Sequence, residues 1–402
     1  MNFANCRIAL ISPHYPPLRT SAAVQMRDLA REFLNQGYDP VVLIPMNSPL
    51  PLWELEVMDG VQILRLSSPM MHDVGRFRRA LSEIFLPLSM IYALKKSPYG
   101  TVDWTYLIWY SPPIFFGPLI WYLKRSTNCR TYLILRDIFP EWALDLGLIR
   151  KGLIYWFFKA IANFQYSLAD TIGIQTGSNI SYFQSDKNKY LEKVVVLDNW
   201  QTESEINGSS IQIGFTSLAN RKIFVYVGNM GIAQGMDVLI DLAALLNNRS
   251  DIGFIFVGRG TEVDRLKSRV CVLSLSNTLF FDEIDSREIP SLLCQCHVGL
   301  MALDLRHKSH NIPGKFLTYL NAGLPVLARL NKNTDLIKII SDEGVGKCYT
   351  EDSIASFGKI AEEMIDDDFM YCNMVEKTRP LARRRFSSEN AVRQILSAGN
   401  HS

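Results

Sequence analysis

The chain has 402 residues, 48% of them hydrophobic and 20% charged, and it carries a formal net charge of +2. A single hydrophobic core rarely serves a chain of this length, so we expect two or three domains. The near-neutral charge gives no general electrostatic basis for binding nucleic acid, which we exclude as a partner. The seven cysteines lack regular spacing, which favours reduced thiols in a cytoplasmic protein.

Cys294 and Cys296, followed by His297, are the one grouping that suggests a metal site. The two cysteines stand one residue apart, and no second Cys/His pair with zinc-finger spacing follows them. We therefore favour a buried strand end over a metal site, and predict no bound metal.

The first residues, 1–7, have no long apolar core before Pro13, so we predict no signal peptide. The nearest candidate for a membrane span is 104–123, which is uncharged and long enough for a transmembrane helix. Pro112-Pro113 and Gly117-Pro118 interrupt this stretch, which favours a buried strand followed by a helix. A membrane span is the alternative.

The first half of the chain opens with a strand at 7–11, a proline-containing loop at 12–20, a helix at 22–35 and a strand at 41–44. This order is typical of the start of a doubly wound α/β domain. Further apolar strands are predicted at 105–109, 130–135, 171–174 and 194–197.

Residues 201–220 are polar and predict a linker or long loop. The alternation of strands and helices then restarts at 223 and continues to 302, and a closing helix is predicted at 383–396. We predict an α/β protein with two Rossmann-like doubly wound domains, 1–200 and 201–380, facing each other across a cleft, and a closing helix within 381–402. Ligands are expected at the carboxyl ends of the strands.

A glycine-containing turn follows the first strand of the second half, within residues 224–240. Gly228 ends the strand, Gly231 lies in the turn and Gly235 precedes a helix, so the backbone can approach a phosphate or a sugar closely. A tight turn without a ligand is the alternative. The spacing is not GxGxxG, and no acidic residue ends the next strand, so an NAD site is not favoured.

The stretch 312–328 predicts a short helix with a marked start and end. Pro313 suits the first helical position, and Gly323 suits the left-handed residue just past the last turn. Such a helix directs unpaired N–H groups and the positive end of its dipole towards the preceding loop. Lys315 adds a positive charge there, which indicates an anion, and we predict the diphosphate of a nucleotide-sugar.

Two further segments are expected to reach the same edge. Residues 280–284 follow a strand, where a nucleobase could meet backbone groups and an aromatic side chain; an ordinary loop is the alternative. His310 precedes the marked helix and could donate to a phosphate, although a lone histidine is also compatible with a structural role.

Taken together, the glycine turn and the segments 257–266, 280–284 and 312–326 resemble the donor half of retaining family-4 glycosyltransferases, which have the GT-B fold. In the first half, the segments 11–17, 111–113, 136–141 and 198–200 resemble a bacterial subgroup of these enzymes. That subgroup builds O-antigen and capsule sugars and includes L-fucosamine transferase-like proteins. The resemblance covers essentially the whole chain.

The resemblance implies a donor site that departs from the family pattern at several positions. The family commonly has Arg near Asn229, Lys at Gln234, and glutamates at the positions of His310 and Thr318. Positive charge would then come from Lys315, the helix amides and Arg259. The donor-binding residues predicted in this way are Gly228, Asn229, Gly231, Gln234, Arg259, Phe281, Glu283, His310, Pro313, Gly314 and Thr318.

The predicted catalytic residues are Asp137, Glu141 and Lys315. Asp137 would orient the acceptor hydroxyl or the donor sugar with help from Glu141; a capped helix start with an Arg136 ion pair is the alternative. The resemblance implies that the departing phosphate takes the acceptor proton, so neither a carboxylate base, nor a metal, nor a cofactor is required. Lys315 and helix amides would stabilise the leaving nucleoside diphosphate.

Two segments mix basic and aromatic residues as interfacial helices do. Between 76 and 96, five basic residues stand against Glu83, a net charge of +4. The segment 150–166 combines Lys151 and Lys159 with aromatic residues that include Trp156, Phe157, Phe158 and Phe164. Such helices suit an anionic lipid surface. Core helices with solvated ends are the alternative.

These patterns predict a cytoplasmic, metal-independent, retaining glycosyltransferase at the inner face of the membrane. It would move a sugar from a UDP-sugar to a lipid-linked oligosaccharide in surface-polysaccharide biosynthesis. One alternative is a non-catalytic partner subunit, because Asn229, Gln234 and Thr318 are neutral. A UDP-sugar 2-epimerase, which also has two Rossmann-like halves, is the other.

Overall fold

The structure is a computed structural model that describes residues 6–18, 20–69, 76–145, 147–184, 190–304, 311–332 and 334–398. The chain divides into two compact units. The first comprises Met1–Gln201 together with Ser388–Ser402, and the second comprises Thr202–Ser387.

The first unit is built, in its described residues, on an eight-stranded sheet that is parallel except for one edge strand. The strands are β1 (Arg7–Ile11), β2 (Asp39–Pro45), β3 (Trp53–Met58), β4 (Val61–Leu66), β5 (Tyr106–Ser111), β6 (Arg130–Leu135), β7 (Thr171–Ile174) and β8 (Val194–Val196). Their order is β3-β4-β2-β1-β5-β6-β7-β8, so the chain reverses its direction of travel across the sheet between β1 and β5.

Helices cover both faces of this sheet, as a sheet buried on both sides requires. The helices up to the end of β8 are α1 (Ser21–Asn35), α2 (Arg76–Lys96), α3 (Gly117–Thr127), α4 (Glu141–Asp145), α5 (Leu153–Leu168) and α6 (Ser181–Gln184). Buried side chains of α2, α3 and α5 form one core beneath the sheet, and those of α1 form part of the core on the other face.

The second unit, in its described residues, has a six-stranded sheet in which every pairing is parallel. Its strands are β9 (Lys222–Val227), β10 (Ile252–Val257), β11 (Thr278–Phe281), β12 (Val298–Ala302), β13 (Val326–Arg329) and β14 (Gly346–Tyr349). The order β11-β10-β9-β12-β13-β14 places the reversal between β9 and β12. Ligands of open α/β sheets bind at the carboxyl ends of strands at such a switch point.

The helices of this unit again lie on both faces of the sheet. They are α7 (Asp237–Leu245), α8 (Val263–Val272), α9 (Ile289–Leu293), α10 (Gly314–Ala322), α11 (Asp335–Glu343), α12 (Ile354–Asp366) and α13 (Asp368–Arg385). A last helix, α14 (Ser388–Ala398), returns to the first unit and packs against α1. The GT-B fold expected from the sequence is therefore confirmed as two parallel-sheet α/β domains.

Several local predictions need correction. The single closing helix at 383–396 is wrong, because α13 ends at Arg385 and α14 begins at Ser388. The hairpin of β3 and β4 was not predicted, although Asp59 and Gly60 form its turn with φ angles of 53° and 80°. An Asp-Gly pair between two apolar segments is a strong hairpin signal and could have revealed it.

The apolar stretch 104–123 forms β5, a short 3₁₀ turn and the first part of α3, which agrees with a strand followed by a helix. Within the described ranges, none of the helices has both the length and the apolar character needed to cross a membrane.

The contact of α14 with α1 generates a test of the first unit. Ile395 is fully buried in the core that α1 lines, so Ile395→Ala should lower the free energy of unfolding by about 2–5 kcal/mol. All seven tryptophans lie between residues 53 and 200, so urea denaturation followed by tryptophan fluorescence reports this unit selectively. The exposed control Ser397→Ala should change it by less than about 0.5 kcal/mol. Equal effects of both variants would contradict the packing described here.

Candidate active site

Two backbone turns, one after β9 and one after β10, are hydrogen-bonded to each other beside the switch point of the second unit. Gly228, with a φ of 131°, follows β9, and its N–H donates to Val257 O at 2.9 Å. The Met230 N–H donates to Arg259 O at 2.7 Å. Gly258 and Gly260 have φ angles of 144° and 152°, and a Cβ on either would lie within 2.1–2.3 Å of a backbone oxygen of the glycine turn. These glycines are therefore required for the two turns to lie against each other.

The side chains of Asn229 and Gln234 close the glycine turn from within. Gln234 Oε1 accepts hydrogen bonds from Gly231 N at 3.2 Å and from Asn229 Nδ2 at 3.3 Å. Gly235, with a φ of 57°, lies against the backbone of Asp304 beyond β12. These two neutral side chains thus act on the shape of the turn, and they bring no charge to it.

Helix α10 begins beside this turn. Pro313 is its N-cap, with φ and ψ of −64° and 140°, so the prediction that it occupies the first helical position is wrong by one residue. The cause is the extended ψ angle, which the chain needs in order to enter the helix. Gly323 ends the helix in the left-handed conformation, as predicted, with a φ of 86°. Gly314 opens the helix, and a Cβ there would meet nothing within 4 Å.

Lys315 lies on the first turn of α10 and extends to the end of β9. Its Nζ donates to the Tyr226 hydroxyl at 2.5 Å and lies 3.8 Å from the centre of the Tyr226 ring. A Cβ built on Gly228 would be 4.0 Å from this Nζ, so the ammonium group borders the glycine turn. Burial lowers the pKa of Lys315 to about 7, because the charged form loses its hydration.

Tyr226 was not predicted as a site residue. It is fully buried, and its hydroxyl donates to Asn229 O at 2.6 Å. Burial raises the pKa of Tyr226 well above its ordinary value, so the phenol stays neutral. A tyrosine one residue before the end of a strand that leads into a glycine turn is the only signal for it in the sequence.

The remaining predicted donor residues differ in what they contact. Thr318 donates to Gly314 O at 3.2 Å, one helical turn back. Arg259 is exposed and pairs with Glu283 at 3.3 Å, so each of these predicted donor residues holds the other. Phe281 is half-buried against the core of the unit. His310 lies outside the described residues.

The predicted catalytic carboxylates lie in the first unit, after β6. Glu141 is buried and forms an ion pair with Lys159 of α5, and its Oε2 has no hydrogen-bond partner among the described residues. Phe139 N donates to Asp137 O at 3.0 Å, which tightens the turn that leads to α4. Lys159 was assigned to a membrane-facing helix, and its pairing with Glu141 was not predicted.

Arg136, next to Asp137, is buried and stacks over the Trp200 ring at 4.4 Å. Its Nη1 donates to Leu197 O at 3.2 Å, and burial lowers its pKa. Arg136 thereby connects the end of β6 with the segment after β8. Residues 136–141 and 198–200, which lie there, are two of the segments on which the resemblance in this half was based. An ion pair near this turn joins Glu141 to Lys159.

The second unit has a parallel α/β sheet with a glycine turn at its switch point, and comparison with known families shows which class of protein shares these features. Residues 221–367, which contain the glycine turn, Tyr226 and Lys315, match the family described as glycosyl transferases group 1. The match and the relatives below support a transferase enzyme with the GT-B fold.

Individual relatives agree with this class. The chain is 24% identical over 252 residues to WbjE of Pseudomonas aeruginosa, which is named as a glycosyltransferase; the match covers 61% of this chain and 62% of WbjE. It is 25% identical over 303 residues to WcaI of Escherichia coli, named as a colanic acid biosynthesis glycosyl transferase, with 71% of each chain covered. The crystal structure of Anabaena HepE in complex with UDP has a TM-score of 0.67 and 15% identity, and covers 98% of this chain and all of HepE.

The approach of the two turns is testable through Gly258. A Cβ at this position would lie 2.1 Å from Gly228 O, so Gly258→Ala should lower the free energy of unfolding of the second unit by about 2 kcal/mol or more. Scanning calorimetry is suitable, because this unit contains no tryptophan. Gly214→Ala is the matched control, since a Cβ there meets nothing within 4 Å. A Gly258 variant as stable as the Gly214 variant would refute the close approach.

Proposed function

We propose that this protein is a retaining, metal-independent glycosyltransferase that takes a sugar from a UDP-sugar. The observation that carries the proposal is the meeting of the Lys315 ammonium group, the glycine turn and the start of α10 at the switch point of a glycosyltransferase group 1 domain. The similarity in fold to HepE, whose structure contains UDP, supports the choice of nucleotide. No cofactor is part of the proposal.

The donor diphosphate would lie between the glycine turn and α10. The first N–H groups of a helix have no partners within it, and the helix dipole favours negative charge at this end. Lys315 supplies a full charge against the same phosphates. During transfer, the bond between the anomeric carbon and the diphosphate breaks while the acceptor oxygen bonds to that carbon. The departing phosphate oxygen accepts the hydroxyl proton, and its growing negative charge is stabilised by Lys315 and the amides.

The nucleoside would extend from the phosphates along the carboxyl ends of β10 and β11. Backbone groups of 258–260 and 282–284 border this path, and the exposed pair of Arg259 and Glu283 lies beside it. The hydroxyl of Thr318 points towards its own helix, so a contact with the ribose requires it to exchange its bond to Gly314 O. Such a neutral hydrogen bond is weaker than that of the family's glutamate.

We assign acceptor binding to the first unit, in keeping with the resemblance of its segments to enzymes that build surface polysaccharides. Asp137 is the candidate for orienting the acceptor hydroxyl. Glu141 is assigned a supporting role, because its carboxylate is held by Lys159 in an ion pair at the start of α4. A lipid-linked saccharide as acceptor fits the surface of the same unit, described next.

The outer faces of α2, α3 and α5 carry a group of exposed apolar side chains, which we name the apolar helix surface. These helices are neighbours, because α2 packs against α3 and α3 against α5. The exposed fraction reaches 91% for Leu153 and 60% for Trp156. The members of this surface are Ile84, Phe85, Leu88, Tyr92, Trp121, Leu153, Ile154, Trp156, Phe157 and Phe164.

Basic residues accompany this surface. Lys95 lies 4.9 Å from the Tyr122 ring and Arg125 lies 5.4 Å from the Trp121 ring. Arg150 and Lys151 are exposed just before α5. The arginines at 76, 78 and 79 belong to the part of α2 whose side chains are outside the described residues. Exposed aromatic and apolar groups beside cationic ones suit the interface of an anionic membrane, so we place the protein peripherally on the inner leaflet.

One observation favours a second candidate, a non-catalytic partner subunit. Asn229, Gln234 and Thr318 use their side chains within the protein, on the glycine turn and on α10. Two measurements separate the candidates. Sugar transfer by the native chain would exclude the second candidate. Absence of transfer, together with no gain in donor affinity from Thr318→Glu, would support it.

The donor site predicts a specific loss on removing the charge of Lys315. Screening UDP-glucose, GDP-mannose and dTDP-glucose by thermal shift selects the probe, since a bound ligand raises the melting temperature. Lys315→Met should weaken binding of that probe by about 30-fold or more in calorimetry near pH 6, because a buried ion pair with the phosphates is lost. Lys359→Met on α12, whose exposed lysine pairs with Glu363 at 3.8 Å, is the control and should bind as the native chain does. Absence of binding by all three nucleotide-sugars would overturn the proposal.

The apolar helix surface predicts binding to anionic vesicles. The double variant Leu153→Gln and Trp156→Gln should reduce sedimentation with phosphatidylglycerol-containing vesicles by about tenfold or more, because two large apolar groups no longer enter the interface. Binding should also fall with added salt. Phe215 and Phe369 of the second unit are 92% and 84% exposed, so changing both to Gln is the matched control. Equal binding of the two double variants would rule out this surface.

A further inference from the structure

We propose that Tyr226 positions Lys315 as a proton-accepting group, so that binding of the donor diphosphate takes up one proton at this lysine. The inference rests on the donor site proposed above and concerns how Lys315 becomes charged. It is carried by the geometry of three elements, namely the end of β9, the glycine turn and the first turn of α10.

The only side-chain partner of the Lys315 Nζ among the described residues is the Tyr226 hydroxyl, at 2.5 Å. That hydroxyl uses its proton in the bond to Asn229 O at 2.6 Å, so it offers Lys315 a lone pair. The arrangement fixes the nitrogen next to Gly228, over the Tyr226 ring. A neutral phenol holds the amine in place, but without a charge of its own it offsets only part of the cost of burying a positive charge.

No carboxylate in the described part of the chain forms an ion pair with Lys315. On the elements around it, Arg329 at the end of β13 pairs with Asp352 at 2.7 Å, and Arg379 of α13 donates to Ala322 O at the far end of α10. Asp304 follows β12, where its backbone N–H donates to Ala233 O at 3.0 Å. Strand β9 and helix α10 contribute Tyr226 and Tyr319, which are buried and stay neutral, since burial raises the pKa of both.

Because Lys315 is buried without an ionic partner among the described residues, it gains or loses its proton near neutral pH. Burial lowers its pKa to about 7, so the ammonium form prevails below that value and the amine above it. A diphosphate placed against the same nitrogen would supply the missing negative charge and raise the pKa, because an opposite charge stabilises the charged form. Above pH 7 the donor must therefore bind together with a proton, and its affinity decreases as the pH rises.

Replacement of the two basic residues of the family pattern makes this lysine decisive. Asn229 and Gln234 bring no charge, and Arg259 is paired with Glu283. Among the described residues at the glycine turn, Lys315 is therefore the cation whose charge state a bound phosphate would set. Tyr226 contributes to this behaviour by holding the nitrogen in a dry position without an ionic partner.

The test is calorimetry of nucleotide-sugar binding between about pH 6 and pH 9, in buffers of different ionisation enthalpy. The probe is UDP-glucose, or the screened nucleotide-sugar that gives the thermal shift, because its diphosphate has no group that titrates in this interval. For the native chain we expect affinity to fall roughly tenfold per pH unit above about pH 7, with proton uptake rising from near zero to about one. Lys315→Arg should bind without pH dependence or proton uptake, since arginine stays charged.

Tyr226→Phe keeps the ring and removes the hydroxyl, so the amine loses its partner. The midpoint of the pH dependence should move down by about one pH unit or more. Tyr319→Phe is the matched control, because its hydroxyl donates to Leu300 O at 3.1 Å and accepts from Val227 N without bonding to Lys315. It should leave the midpoint unchanged, whatever its effect on stability.

The outcomes are separable. A nucleotide-sugar that binds equally well across the whole pH range, without proton uptake, would overturn this inference and leave the donor site intact. If Tyr226→Phe left the midpoint of the pH dependence unchanged, the role of Tyr226 in the protonation of Lys315 would be wrong. Failure of all three nucleotide-sugars to bind at any pH would instead reject the proposed function.

Discussion

The contact between the Lys315 ammonium group and the Tyr226 hydroxyl depends on the strand order of the second unit. Because β9 is flanked by β10 and β12, the chain leaves β9 and β12 on opposite faces of the sheet, and both exits lie at one edge. The glycine turn starts at the first exit, and α10 follows the second. A lysine on the first turn of α10 can therefore reach a tyrosine 89 positions earlier in the chain.

Backbone geometry prepares this edge before any ligand is present. Gly258 and Gly260 allow two turns to lie against each other at distances that no side chain would permit, and Gly228 adopts a φ of 131° that favours glycine. The amide groups of Asn229 and Gln234 then tie the glycine turn to itself. A preformed turn would lower the ordering cost of binding the proposed phosphate, which matters more because Asn229 and Gln234 bring no charge to the turn.

Much of this site follows from local sequence. Gly323 and Lys315 were identified because a left-handed helix end and a cation near a helix start are properties of a few adjacent residues. The glycine turn and the alternation of strands and helices are local in the same sense. The predicted position of Pro313 was wrong by one residue, because the start of the helix depends on the ψ angle of Pro313, which the sequence does not determine.

The residues that the sequence did not reveal all act through distant partners. Tyr226 meets Lys315 only because β12 and α10 return to β9, and nothing near residue 226 records that crossing. Glu141 was predicted to assist Asp137, four residues earlier, and its ion pair with Lys159 on α5 was not predicted. The β3–β4 hairpin is different, because its turn signal, Asp59-Gly60, is local. The strands beside this turn are only partly apolar, which weakens the strand signal on either side of it.

The neutral character of the site gives a reason for the choice of tyrosine as the partner of Lys315. A carboxylate at this place would keep the lysine charged, but it would also cancel the positive potential that the proposed diphosphate requires and would compete for the same nitrogen. A wholly apolar neighbour would leave the amine without a fixed position. A phenol whose proton is already committed to Asn229 O avoids both problems. Since linkage is reciprocal, a lysine held in this way would bind its proton more tightly with the proposed phosphates present, and would bind those phosphates more tightly when it is protonated.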